Sequence, residues 1–365
     1  VTLSNEGIGF KGPNGAQTAT PNAVEPVGLP RKHVPAHRRV LMLPIVVIGL
    51  AALVVLSVAI GAKSIPISDV LEALGPGSDP NNAHVIWGLR VPRTVVGLCV
   101  GVALGVSGAL IQALTRNPLA DPGILGVNAG ASFFVALGVA VFGVTTINGQ
   151  VWLAFAGALV VTVAVYLVGS AGRGGTDPAK LTLAGVALSA VLSGLVSAMT
   201  LLDPKAFNEM RYWNVGSIVN RGWDVLVPVL PFLGAGLVLA VIAASSLNAI
   251  ALGDDLARSL GTNVALVRVL VVLAVTLLAG GATAVAGPIG FIGLMIPHIA
   301  RWITGPDQRW ILLYTILLAP SLMLASDIVG RIVQWPAEFP VGIVTSFIGA
   351  PVLIVLVRRK KASAL

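Results

Sequence analysis

The side chains able to do chemistry lie at the ends of apolar runs, in three groups. Arg90 and Arg93 bracket a proline in the stretch RVPR, and Arg331 closes the stretch SDIVGR. Arginine presents a planar fork that meets a carboxylate in two parallel bonds, so such forks suit the docking of an acidic protein surface. Lipid phosphate or a solvated loop is the other reading. The second group is Gly253, Asp254, Asp255, Leu256, Ala257, Arg258, Ser259, Leu260 and Gly261. Two acids in a first turn, an arginine one turn on and a glycine after the end spell a short amphipathic helix. That is a rigid knob for a soluble partner to hold, or else an ordinary structured loop. The third group is uncharged. Ser189, Ser193 and Ser197, four residues apart, share one helix face, and Thr345 and Ser346 are the polar side chains of the last apolar run. Hydroxyls so placed either line a passage or bond back to their own helix.

The elements that carry these groups must be membrane helices. The chain of 365 residues is 56% hydrophobic and 10% charged, with a mean hydropathy of +0.93, where soluble domains carry about 25% charged residues. The formal charge of +8 would suggest nucleic acid in a soluble chain. Here it reports on topology and lipid, and no nucleic-acid partner is expected. The lone Cys99 excludes a disulfide framework and reads as a small buried hydrophobe. Residues 1–36 are rich in Gly, Pro, Asn and Thr without an apolar centre; they read as a disordered cytoplasmic tail, not a cleavable signal peptide.

Spans of about 20 apolar residues cross the hydrocarbon layer, and ten segments qualify within 37–361: roughly 40–61, 93–114, 123–143, 150–170, 180–202, 224–245, 266–286, 288–303, 309–327 and 341–357. The second carries Gly97, Gly101, Gly105 and Gly108, which lets neighbouring backbones approach closely and places it in the middle of a bundle. It runs from the two arginines to the polar Asn117-Pro118-Leu119 turn. The eighth, with Pro288, Gly290, Gly293 and Pro297, is expected to be broken or tilted. With both termini inside, sixteen Lys and Arg fall on the inner side and seven on the outer, in keeping with the positive-inside rule.

All fifteen acids fall in the tail, in loops or at expected helix ends. A membrane-buried acid is the usual mark of proton or sodium coupling, so its absence counts against a secondary transporter and against an intramembrane hydrolase. The four histidines are far apart and form no ligand set; His298 reads as a structural hydrogen-bonding residue. No G-x-x-x-x-G-K-[ST] loop occurs, so a pump built on this chain takes its ATP hydrolysis from another polypeptide.

Several stretches, in order, resemble the FecCD-type permeases of bacterial ABC importers, the family of the vitamin B12 and ferric-siderophore permeases. They are RVPR at 90–93, SGALIQALTRNPLADPGILG at 107–126, GDDLARSLG at 253–261, AGPIGFIGLMIPHIAR at 286–301, SDIVGR at 326–331 and EFPVGIVTSFIGAPV at 338–352. The resemblance spans about residues 40–358. It implies an all-α, ten-helix importer fold with inverted repeats, in which segments two to five are related to segments seven to ten.

It further implies a multi-pass subunit of the bacterial inner membrane with both termini cytoplasmic. Its partners would be a second permease subunit (a copy or a paralogue), two cytoplasmic ATPase subunits that carry the ATP and Mg, and an extracytoplasmic substrate-binding protein. This chain would be no enzyme and hold no cofactor. By the same resemblance Arg90, Arg93 and Arg331 meet glutamates of the binding protein, and residues 253–261 couple to the ATPase. Asn117 and Leu119, with Thr176, close the passage on the cytoplasmic side, and the hydroxyls above line it. The expected activity is alternating-access import of a ferric siderophore. Cobalamin or haem is the alternative cargo, and an ion-coupled secondary transporter the alternative of another class.

Overall fold

Glycine spacing decides which helix occupies the centre. The computed structural model describes residues 36–61, 63, 65–73, 79–171 and 178–358, and among these it is all helix and loop. Helix α4 (Val91–Thr115) is buried along most of its length. A Cβ on its Gly105 would stand 2.4 Å from the Ala319 Cβ, and one on Gly108 only 1.9 Å from the Gly293 carbonyl oxygen. Two neighbours therefore lie directly on the α4 backbone: α14 (Gln308–Val333) and α13 (Ile292–Thr304). Close backbone approach through small residues is how helices associate without a hydrophobic drive between them.

Around this centre run α1 (Ala36–Ala59), α2 (Ile67–Ala73), α3 (Pro80–Ala83), α5 (Val127–Ala140), α6 (Ile147–Ser170), α7 (Pro178–Leu202), α8 (Pro204–Trp213), α9 (Trp223–Leu226), α10 (Leu230–Ile250), α11 (Asp254–Ser259), α12 (Val264–Ala286) and α15 (Val341–Arg358). Helix α12 is the second buried element, packed against α4, α6 and α10. Helix α1 is the opposite case, an apolar helix with little of its surface covered.

Seven helices among the described residues are long and apolar enough to cross a membrane. The other three expected spans are shorter. Helix α5 starts only after a 3-10 turn at Pro122–Leu125, α13 covers the expected broken segment, and α15 ends the bundle. The break before α13 is real: the chain leaves α12 through Gly287 and Pro288, and Phe291 takes a left-handed backbone at φ 68° as the cap of α13.

Three boundaries differ from expectation. The helical run containing α4 begins at Pro80 and reaches it through a wide π-type stretch, His84–Arg90, so Arg90 and Arg93 lie within a continuous run rather than at its start. The sixth span begins at Leu230 instead of near 224, because the short α9 and a turn come first. Helix α14 continues to Val333, which puts Asp327 inside it and 1% exposed. That corrects the expectation that every acid lies in the tail, in a loop or at a helix end. The expected tail, residues 1–36, lies outside the described residues but for Ala36.

Candidate functional site

The chemistry gathers at the two ends of the bundle and in a cleft between them. At one end, four charged side chains form a single network, with Arg90 beside it. Arg93 binds Asp327 through Nη2 at 2.6 Å and Nε at 3.2 Å, and binds Glu338 through Nη1 at 2.5 Å. Arg331 donates to the other oxygen of Asp327, one helical turn away. Asp327 is therefore a buried acid shared by two guanidiniums, whose charges compensate its own.

The remaining donors of this network and those of Arg90 end α1. Arg331 Nη1 reaches the carbonyls of Ser57 and Ile60, both at 2.7 Å, and Arg90 Nη1 reaches those of Val58 and Ala59 at 2.9 and 2.7 Å. Arg90 Nη2 also holds Lys63 O at 2.6 Å. A helix leaves its last carbonyls without intrahelical partners, with partial negative charge. Two arginines satisfy them here. Two of the three expected forks are turned inward: Arg90 is 5% and Arg331 2% exposed, Arg90 bonding backbone carbonyls and Arg331 both carbonyls and Asp327. Arg93 is the least buried of the three, and Glu338 already meets it.

Between the ends, the serine stripe faces a cleft of about 460 Å³. Ser189, Ser193 and Ser197 of α7 form one wall, and Asn128, Ser132 and Asn214 stand opposite. Asn128 accepts from Thr283 of α12 at 3.0 Å, and Ser132 donates to Asn214 at 3.4 Å. Ser197 also donates back to Ser193 O at 2.9 Å, so lining and back-bonding coexist on one helix. The lining is hydroxyl, amide and apolar, without a charge. Thr345 and Ser346 are not part of it. Thr345 is fully buried, and both donate to Gly342 O of their own helix.

At the opposite end, α4 stops at Arg116 and a tight turn follows. Asn117 Oδ1 accepts from Leu119 N at 2.9 Å and its carbonyl from Ala120 N at 3.1 Å, which presents Leu119 at 40% exposure. Gly253 (φ 115°) and Gly261 (φ 82°) bracket α11, so residues 253–261 form the expected short helix. Asp255 pairs with Arg258 at 2.9 Å on its exposed face, and Asp254 turns inward to Arg116 and Arg268. Thr176 lies outside the described residues.

Gln112 was missed by sequence reasoning. It is fully buried, donates to the carbonyls of Gly293 and Leu294 at 3.2 and 3.0 Å, and accepts from Arg301 at 3.0 Å. It thereby pins the start of α13 to the end of α4. A lone amide inside an apolar run was the available signal. His298, expected to make hydrogen bonds, has none at either ring nitrogen; it packs edge-on against Trp302 with centroids 4.8 Å apart. Among the described residues no group of His, Cys, Asp or Glu could hold a metal ion.

A helical bundle packed through glycine, with an uncharged cleft between charged networks, is the architecture of a membrane permease. The chain belongs to the FecCD transport family, whose model matches residues 49–359. It is 49% identical over 326 residues to the ferric enterobactin transport system permease protein of Escherichia coli (strain K12), covering 89% of this chain and 97% of that one. It is 35% identical over 283 residues to the hemin transport system permease protein of Yersinia pestis, covering 76% and 84%. A solved structure of a metal-chelate type ABC transporter in an inward-facing conformation superposes with a TM-score of 0.78 at 30% identity, covering 87% of this chain and 98% of that one. The protein is thus a multi-pass ABC importer permease, a transport subunit of the bacterial inner membrane.

Proposed function

We propose that this chain forms the membrane path of an ATP-driven importer for ferric siderophores, working by alternating access. The observation that carries the cargo is the 49% identity, nearly end to end, with a permease named for ferric enterobactin. The cleft is compatible with it: hydroxyls and amides without fixed charge offer a bulky chelate many weak contacts and no tight trap. Iron arrives already wrapped, so the chain needs no metal ligands of its own.

In this reading two copies, or this chain and a paralogue, surround the path. Two cytoplasmic ATPase subunits carry ATP and Mg and engage residues 253–261, and the Asn117–Leu119 turn closes the inner mouth. Both termini are cytoplasmic, as the charge balance of the loops favours. An extracytoplasmic binding protein docks at the other end, where Arg93 is the least buried of the three arginines; Arg90 and Arg331 support that surface from beneath. Haem is the second cargo, favoured by the relationship to the hemin permease at its lower identity of 35%.

The test is uptake of radiolabelled iron as ferric enterobactin, ferric citrate and a ferric hydroxamate, beside haem and labelled cobalamin, in cells with and without the gene. Loss of one ferric-siderophore signal is expected. Loss of haem or cobalamin uptake alone overturns the cargo. Uptake that stops on collapse of the membrane potential while ATP is maintained overturns the ATP-driven mechanism.

A further inference from the structure

Asp254, the first residue of α11, is held from two sides. Arg116 donates through Nη2 to its Oδ1, and Arg268, in the second turn of α12, donates through Nη2 to its Oδ2 at 2.5 Å. The acids of this helix are therefore divided. Asp255 is fully exposed and pairs only within α11, with Arg258, so it faces whatever lies outside the bundle. Asp254 faces inward and ties the helix to α12 and to the end of α4.

Arg116 is placed in a way that costs the backbone. It ends α4 in a left-handed conformation, φ 50° and ψ 32°, with its N–H directed to the carbonyls of Gln112 and Ala113. Glycine is the usual residue for a left-handed helix end, because it has no Cβ to crowd the carbonyl. A long cationic side chain kept at such a position, and seated on a carboxylate of another element, is an outlier that points to use of the side chain. The next three residues are the Asn117–Leu119 turn, locked by its own Asn117 bonds. Displacement of Arg116 therefore carries that turn as a unit.

We propose that the Asp254–Arg116 pair is the link through which movement of α11 reaches the Asn117–Leu119 turn, with Arg268 as its pivot on α12. The proposal rests on residues 253–261 being the ATPase-coupling segment. A charge-assisted hydrogen bond is short and directional, and the pair is only partly exposed, 39% for Arg116 and 25% for Asp254. A pair of this exposure contributes little to stability. What it supplies is a fixed geometry between two elements far apart in sequence. Arg116 is in this account a positioning residue for the gate.

Arg116→Gly separates this role from a structural one, since glycine relaxes the left-handed backbone while removing the link. The assembled importer, with its ATPase subunits and binding protein, is placed in vesicles. Two readouts are taken: iron imported per ATP hydrolysed, using ferric enterobactin, ferric citrate and a ferric hydroxamate, and ATP-dependent thiol labelling at position 119 in a Leu119→Cys, Cys99→Ser background. Arg116→Gly is expected to melt no lower than its parent, import at least fivefold less iron per ATP, and lose the ATP-dependent change in labelling. Arg116→Lys is expected to restore more than half of the import ratio. Labelling that still responds to ATP in Arg116→Gly, or an unchanged import ratio, overturns the link. Loss of the ATPase subunits from the Arg116→Gly complex also overturns it, by making Arg116 a docking residue. Should no ferric chelate be imported while parental labelling responds to ATP and the Arg116→Gly labelling does not, the cargo reading falls and the link stands.

Discussion

Arg331 Nη1 lies 2.7 Å from the carbonyl oxygen of Ser57, across 274 positions of sequence. That bond makes an arginine of α14 part of the C-terminal cap of α1. Together with Arg90 it satisfies four successive carbonyls, Ser57 to Ile60. Helix α1 packs along α14, with most of the rest of its surface uncovered. Its other end is held by the Tyr314 hydroxyl, which donates to Arg39 O. Polar bonds at both ends thus add to the packing of α1 along α14.

Arg331→Gln should therefore act on stability first. It leaves Asp327 with Arg93 alone and strips Ser57 and Ile60 of their donor. Breaking one partner out of a buried ion pair costs about 3–5 kcal/mol. The expected result is a clearly lower melting temperature in detergent, with trypsin cutting within or next to α1 sooner than in the parent. A parental melting curve would mean that water or lipid replaces the guanidinium without loss.

Gly61 tests the same cap from the other side. A Cβ there would come within 2.7 Å of the Arg90 guanidinium nitrogens Nε and Nη2, a distance at which something must move. Gly61→Ala is expected to displace Arg90 and to lower the melting temperature in the same direction as Arg90→Gln. Because both changes act on one contact, the double variant should lose less than the sum of the singles, as coupled neighbours do. Full additivity in the thermal melts would separate Gly61 from the cap.

How far the sequence foretold this arrangement depended on range. The glycine spacing of α4 was readable because it is local, and it announced a helix on which Ala319 and Gly293 could lie at backbone distance. The stretch GDDLARSLG announced α11 for the same reason, its cap, charges and closing glycine all falling within nine residues. The serine stripe was visible, but the wall facing it was not, since Asn128 and Asn214 come together only in the fold. The arginines misled for a related reason. Fork chemistry is legible in a residue type, yet whether it faces out or turns onto a carbonyl dozens or hundreds of residues away is decided by packing. Asp327 was placed at a helix end because α14 was expected to stop there; the arginine partners that make burial of an acid tolerable also allow the helix to run on.

The cleft predicts a steric block. Ser193 lies on the exposed middle of the α7 stripe and lines the space shared with Ser132 and Asn214. Ser193→Trp fills much of the cleft while leaving an exposed helix surface able to accept an aromatic ring. Uptake of the ferric chelate is expected to fall at least tenfold with the protein present at parental levels in the membrane, whereas Ser193→Ala stays within about twofold, a single hydrogen bond to solvent-accessible hydroxyl being worth about 1 kcal/mol or less. Parental uptake with Ser193→Trp, measured as labelled iron retained on filters, would take the cleft off the transport path.

Asp121 predicts a pH dependence, with a sign that can be worked out. It follows the Asn117–Leu119 turn and caps the 3-10 turn before α5, its Oδ1 accepting from Gly123 N at 2.8 Å. Burial pushes its carboxyl above the ordinary value, against the opposing effect of that backbone bond. The folded protein then holds this proton more tightly than the unfolded chain. Its contribution is fully present below the ordinary carboxylate value and is lost as pH rises through the raised folded value. Asp121→Asn retains an oxygen acceptor for Gly123 without a charge to desolvate. The variant is therefore expected to melt at or above the parental temperature at neutral pH, and its advantage should shrink as the pH is lowered into the acid range. Melting temperatures of both proteins across that range decide the matter: a difference that grows on acidification would mean that Asp121 is stabilised as the charged form.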